Sequence, residues 1–306
     1  MKLVRWVAVS CTLVASAASQ TVSGPVFGWT LDTAGRGVQA ILGVPGASRL
    51  GPLAGLPGDV RSAKLNPGRS LALALAGDAG IPVILDLGTL ARTDLAQAGA
   101  NPDLAVWSPS GTALALLYRA EQKAQVFTLQ AGSFQHSGEV YASADQAAVS
   151  DDGSALLGAS ASGLALYRNG GAAVLTPIPT GSFTFLAGTT SPAFWAGGRL
   201  AAGGQDLPFE ARDGEAVYLA SPAAGRLVAV RAGEGRVTTF DGNGQQIDDA
   251  VCHCAVRGIE ALGTAGAIRL DTGGEGPLWV AGSAGDTRLF FVPAAGGRKP
   301  GIKGGR

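Results

Sequence analysis

Residues 105–118, AVWSPSGTALALLY, place a Ser-Pro-Ser-Gly turn between a short apolar run and an alternating one. Proline pre-sets φ for the first corner of such a turn, and glycine accepts the corner a Cβ would disfavour. The same arrangement recurs. Leu65-Asn66-Pro67-Gly68 precedes Leu71 to Leu75, Ser150-Asp151-Asp152-Gly153 precedes Ala155 to Gly158, and Ser221-Pro222-Ala223-Ala224-Gly225 precedes Leu227 to Val230. Fainter copies begin at Asp32, Gly188 and Gly263. Turn starts at 32, 66, 108, 150, 188, 221 and 263 are separated by 34, 42, 42, 38, 33 and 42 residues.

A repeat of about 40 residues built from short strands is the spacing of propeller blades. One four-stranded sheet cannot bury both its faces, whereas stacking such sheets radially covers them and leaves only short edges. The chain is therefore expected to be an all-β propeller, with seven four-stranded blades preferred and six or eight compatible with the same period. In the clearest repeat, strands are expected over 104–108, 112–118, 124–129 and 135–140, with a charged loop over 119–123. Aromatic residues make up only 6% of the chain, so alanine and leucine must carry much of the packing between blades. An ordinary β-sandwich is the competing architecture, but seven similar turns exceed what it needs. Ring closure is expected where Val26 to Leu31 meets Leu289 to Val292, by pairing of an amino-terminal strand into the final sheet.

The run WSPSGTALALLY resembles the W-S-P-D-G repeat of TolB-type and WD-repeat-like bacterial propellers. The Trp-Asp and Gly-His dipeptides of true WD repeats are absent. Val26-Phe27-Gly28-Trp29, Cys252-His253-Cys254 and Gly276-Pro277-Leu278-Trp279 further resemble a group of predicted secreted bacterial propeller proteins of unknown function. The resemblance implies an architecture and brings no catalytic residue with it.

The first nineteen residues read as a leader rather than as part of the fold. Lys2 and Arg5 precede an apolar stretch from Trp6 to Ala15, and Ser16-Ala17-Ala18-Ser19 supplies small residues for cleavage. The stretch is short for a transmembrane span. The expectation is a signal peptide over 1–19, one propeller domain over 20–295, and a basic Gly-rich tail over 296–306. Export would place the protein in the periplasm or outside the cell. Lipidation at Cys11 is a second reading, although the apolar run continues past that cysteine. The 23 basic and 23 acidic side chains balance, which leaves no field to steer nucleic acid. A monomer is expected.

Cys252-His253-Cys254 is the one unusual constellation, and holds the only cysteines left after leader removal. In an oxidising compartment two thiols so close should pair or hold a metal. A disulfide leads, with free thiols, a zinc or copper site and a redox role as alternatives. No cofactor is otherwise expected. Asp241-Gly242-Asn243-Gly244 and Asp151-Asp152-Gly153 suggest calcium loops, but they lack the EF-hand ligand spacing and read as hairpin turns. Nucleophile-elbow, phosphate-loop and His-Glu-x-x-His motifs are missing. His136 is expected on the surface of an outer strand. Trp107 is expected to pack between sheets, and Trp195 to be an exposed contact. The leading function is an exported non-enzymatic scaffold that binds a protein or peptide through its blade-connecting loops. The alternatives are an enzyme with a carboxylate or metal site in the central channel, and a Cys-His-Cys metal-handling or redox protein.

Overall fold

The computed structural model describes residues 25–32, 35–262, 266–273, 278–282 and 287–293. The expected leader and basic tail lie outside the described residues. All regular structure among them is β, in seven antiparallel sheets. The first contains β1 (Val26–Leu31), β2 (Gly37–Val44) and β3 (Ala47–Gly55). The second runs through β4 (Val60–Leu65), β5 (Leu71–Ala76), β6 (Ile81–Asp86) and β7 (Arg92–Asp94). The third holds β8 (Leu104–Trp107), β9 (Ala113–Tyr118), β10 (Lys123–Gln130) and β11 (Ser133–Tyr141), close to the strands expected for that repeat.

The fourth is β12 (Gln146–Val149), β13 (Ala155–Ser160), β14 (Gly163–Arg168) and β15 (Gly171–Thr176). The fifth is β16 (Ser182–Phe185), β17 (Pro192–Ala196), β18 (Arg199–Ala202) and β19 (Gln205–Leu207). The sixth is β20 (Val217–Ala220), β21 (Arg226–Arg231), β22 (Arg236–Asp241) and β23 (Gln246–Val251). The seventh is β24 (Gly258–Leu262), β25 (Ala267–Asp271), β26 (Leu278–Gly282) and β27 (Arg288–Val292).

Strands follow one another in sequence order within every sheet, so each blade is a meander whose first strand lies innermost. The core forms between adjacent sheets. All six residues of β9 are buried, as is expected of a strand covered on both faces. One row of them, Ala113, Ala115 and Leu117, packs toward Val149 and Leu156 of the next blade. The opposite row, Leu114, Leu116 and Tyr118, packs back toward Leu73 and Ile84 of the blade before. Alanine at facing positions lets neighbouring backbones approach, and Phe127, Phe185 and Phe240 fill the wider gaps.

Two expectations need correction. The first blade has three strands among the described residues, not four. Pro52 in β3 and Pro57 just beyond it offer no N–H for a continuing ladder. Leu56 instead packs against the cluster of Ala74, Val83 and Leu85 on one side and that of Val38 and Ala72 on the other, which leads the chain inward to β4. Among the described residues the ring also closes without strand exchange. β1 pairs with β2 and β27 with β26, in separate sheets. They meet through side chains, with Phe27 and Ile41 buried against Leu262, Val280 and Val292. The Phe27 and Phe290 ring centroids lie 5.9 Å apart, and Arg269 donates to the Thr30 hydroxyl across the seam.

Candidate functional site

The first strand of each of blades two to six ends in the recurrent turn, so these turns emerge on one face of the ring. Each does two jobs. Within its own blade, Ser108 Oγ accepts from Ala113 N at 2.9 Å, Ser150 Oγ from Ala155 N at 3.0 Å, and Ser221 Oγ donates to Arg226 O at 2.7 Å. Between blades, Asn66 Nδ2 donates to Gly111 O at 2.8 Å, and Ser110 N donates to Asp151 Oδ1 at 2.8 Å. The other oxygen of Asp151 accepts from Gly188 N at 2.6 Å, and Ala187 N donates to Ser221 Oγ at 2.8 Å. An unbroken chain of hydrogen bonds thus links the turns of blades two to six. The Asp151 segment, with its faint calcium signature, serves as a clamp between neighbours.

Inside this ring of turns opens the central channel, a cavity of about 370 Å³ walled by all seven innermost strands. Most of its lining is apolar, including Phe27, Leu65, Phe183 and Leu219. Its charged residues among the described ones are Lys64, Arg69 and Glu260. Lys64 Nζ donates to Ala105 O at 2.9 Å, and Trp107 Nε1 returns a bond to Lys64 O at 3.1 Å, which ties β4 to β8. Water can reach Lys64 from the channel, yet protein atoms crowd it, so burial lowers its pKa while the field of Glu260 opposes that. Glu260 is held by Arg269 at 3.5 Å. A single paired carboxylate offers no acid–base couple of the kind a glycosidase-type mechanism requires. The described residues contain no group of three His, Cys, Asp or Glu placed to hold a metal.

The Cys252 and Cys254 sulfurs lie at bonding distance, with Cα atoms 5.2 Å apart, in the connection from β23 to β24. His253 between them has φ +53°, a left-handed conformation that lets both cysteines face the same way, and its own side chain is exposed. Cys252 is buried beside Val256, Ile268 and Leu270. Cys252 N donates to Gly235 O at 3.1 Å, and Val256 N to Ala232 O at 2.9 Å. The segment fastens the sixth blade to the seventh. Two sulfurs directed at each other leave no thiolate free for a metal.

Other singled-out residues fall into structural roles. Trp195 is half-buried and meets Phe209 edge-on at 5.4 Å, in the core between blades five and six rather than on an open surface. Trp107 packs on Phe134 at 5.3 Å. His136 lies on the outer strand β11 as expected, but its ring is half-buried, tilted against Phe127 at 5.3 Å. Asp241 Oδ1 accepts from Asn243 N and Gln245 N at 2.9 and 2.8 Å, a hairpin turn closed on its own backbone. Sequence reasoning missed the channel cations. A signal existed for Lys64, because it occupies the repeat position filled elsewhere by Val106, Ala148 and Leu219.

No protein-family model matches the chain, and no curated protein does either. Solved structures match in fold. Hsv2 of Kluyveromyces lactis superposes with a TM-score of 0.53 at 8% identity, covering 88% of this chain and 98% of that one. The propeller domain of Cps50 (Swd1) from Myceliophteria thermophila gives 0.52 at 15% identity, over 77% and 88% of the two chains. U3-55K gives 0.51 at 12% identity, over 77% and 82%. At such identities the likeness speaks for architecture alone. The chain has the fold of a seven-bladed, WD40-like β-propeller.

Proposed function

We propose that the protein is an exported, non-enzymatic scaffold that holds a protein or peptide on the face carrying its blade-connecting loops. The observation that carries this reading is where large apolar side chains remain exposed. Strand direction puts the ends of second and fourth strands, and the starts of first and third strands, on the face opposite the recurrent turns. Val26, Val44, Ile81 and Tyr141 all sit at such ends, and Ile178 lies in a connecting loop. Tyr141 is 78% exposed. Leu53, Val174, Ile247 and Phe291 are exposed along the outermost strands instead, so the exposed apolar side chains near strand ends and connections are those on the loop face, which suits a partner surface there. The longest connections, 95–103 and 208–216, are on the same face. The turn face, with its backbone groups bonded between blades, supplies rigidity. Export rests on the leader pattern, and the non-enzymatic reading on the lone paired carboxylate in the channel.

A photo-reactive residue placed at Tyr141 or Ile178, in cells that make the protein natively, tests the face. Discrete adducts from these positions and none from Thr189 on the turn face are expected. Equal labelling from both faces, or none from either, would overturn the proposal. The intact mass of the recovered protein should lack the first nineteen residues, and a full-length mass would remove export.

A further inference from the structure

The turn-face mouth of the channel gathers two cations, Lys64 and Arg69, against one carboxylate, Glu260. Among the described residues Lys64 forms no ion pair, and its one hydrogen bond, to Ala105 O, uses one of its three donors. Arg69, from the turn that follows β4, lines the same cavity and also forms no ion pair among the described residues. The nearby carboxylate of Glu260 is engaged by Arg269. A cation crowded by protein atoms is costly unless a counter-charge joins it. The remaining wall is mainly aliphatic and aromatic. Its volume of about 370 Å³ falls in the range of small-molecule sites.

We infer that this channel mouth binds a small organic carboxylate, its charge held by Lys64 and Arg69 and its apolar body lying against the innermost strands. The two cations supply orientation, because the acid group must stay near β4 and its turn. The apolar part of the wall supplies contact area for the body of the molecule. A neutral molecule of the same shape would gain the walls and lose the charge-assisted bonds, and an amine would meet repulsion from both cations. The two cations lie at the turn-face end of the channel, whereas Tyr141 and Ile178 lie on the loop face outside it, so either proposal can fail alone.

Calorimetric titration of the full mature chain with 4-phenylbutyrate, 4-phenylbutanol and 4-phenylbutylamine reads the inference directly. The acid should bind at least tenfold tighter than the alcohol, with no measurable heat from the amine. Lys64→Met should weaken the acid by roughly ten- to a hundredfold, the range for charge-assisted hydrogen bonds, and leave the alcohol unchanged. Since Lys64 also ties β4 to β8, Arg69→Ala provides a second variant on an exposed turn, expected to weaken the acid a few-fold with an unaltered melting temperature. Absence of acid binding, equal binding of acid and alcohol, or full acid affinity in both variants would overturn the assignment.

Discussion

The glycine of the Ser-Pro-Ser-Gly turn is needed for a reason beyond its own corner. Gly111 has φ +71°, and a Cβ there would approach Asn66 Oδ1 to 2.0 Å. That amide is buried, donates to Gly111 O, and accepts from Gly68 N at 2.9 Å. Gly111→Ala therefore combines left-handed strain with displacement of a buried hydrogen-bonding side chain, an expected loss of about 2–4 kcal/mol. Asn66→Ala leaves Gly111 O and Gly68 N without their partner, and should cost about 1–3 kcal/mol. If the turn is a unit shared by two blades, the two effects overlap. The double variant should then fall short of the sum of the single losses in equilibrium denaturation. Strict additivity would show that the glycine answers only to its own turn.

At the scale of elements, turn chemistry and strand period were legible while the partners of each turn were not. Ser108, Pro109 and Gly111 announce a turn, and the alternation in Ala113 to Tyr118 announces a strand, because both are local properties of the chain. That Asp151 would bridge turns on both sides depends on ring geometry, which no local pattern contains. The missing fourth strand of the first blade is similar, since Pro52 and Pro57 signal an edge only after β3 has been placed. Lys64 carries no local signal of the channel, because a lysine in Val60-Arg61-Ser62-Ala63-Lys64-Leu65 reads as one more solvated polar residue until the channel surrounds it. The Cys252–Cys254 connection was legible as a pair, but its target was not. Gly235 lies beneath it, and a Cβ there would meet Cys252 Sγ at 2.1 Å and Cys254 O at 2.5 Å. A disulfide across so short a loop constrains the unfolded chain little, so Cys252→Ser with Cys254→Ser should cost about 1–2 kcal/mol. Gly235→Ala should destabilise the oxidised protein more than the double serine variant. The order should appear in thermal unfolding run with and without reductant, and added reductant should lower the melting temperature of the parent protein only slightly.

For the whole molecule, the closing seam decides how the ring comes apart. Among the described residues, blades two to six are linked through hydrogen-bonded turns, whereas the first and last blades meet through packing around Phe27 and through the bond from Arg269 to Thr30. A propeller closed by strand exchange would have to break a ladder to open, but here an apolar contact layer and the Arg269–Thr30 bond must separate. Opening at this seam exposes two sheet faces at once and leaves every sheet intact, so it should require less free energy than global unfolding. Hydrogen exchange at neutral pH should consequently be fastest, among strand amides, in β1–β3 and β24–β27, and slowest in β9, β13 and β21. Phe27→Ala removes the ring that spans the seam, an expected loss of about 3–4 kcal/mol for a buried phenylalanine. That loss should accelerate exchange in the first and seventh blades while the protection of β9 and β13 changes little. Uniform acceleration across all seven blades would mean that the ring opens only by unfolding as a whole, with the seam as strong as any other blade interface.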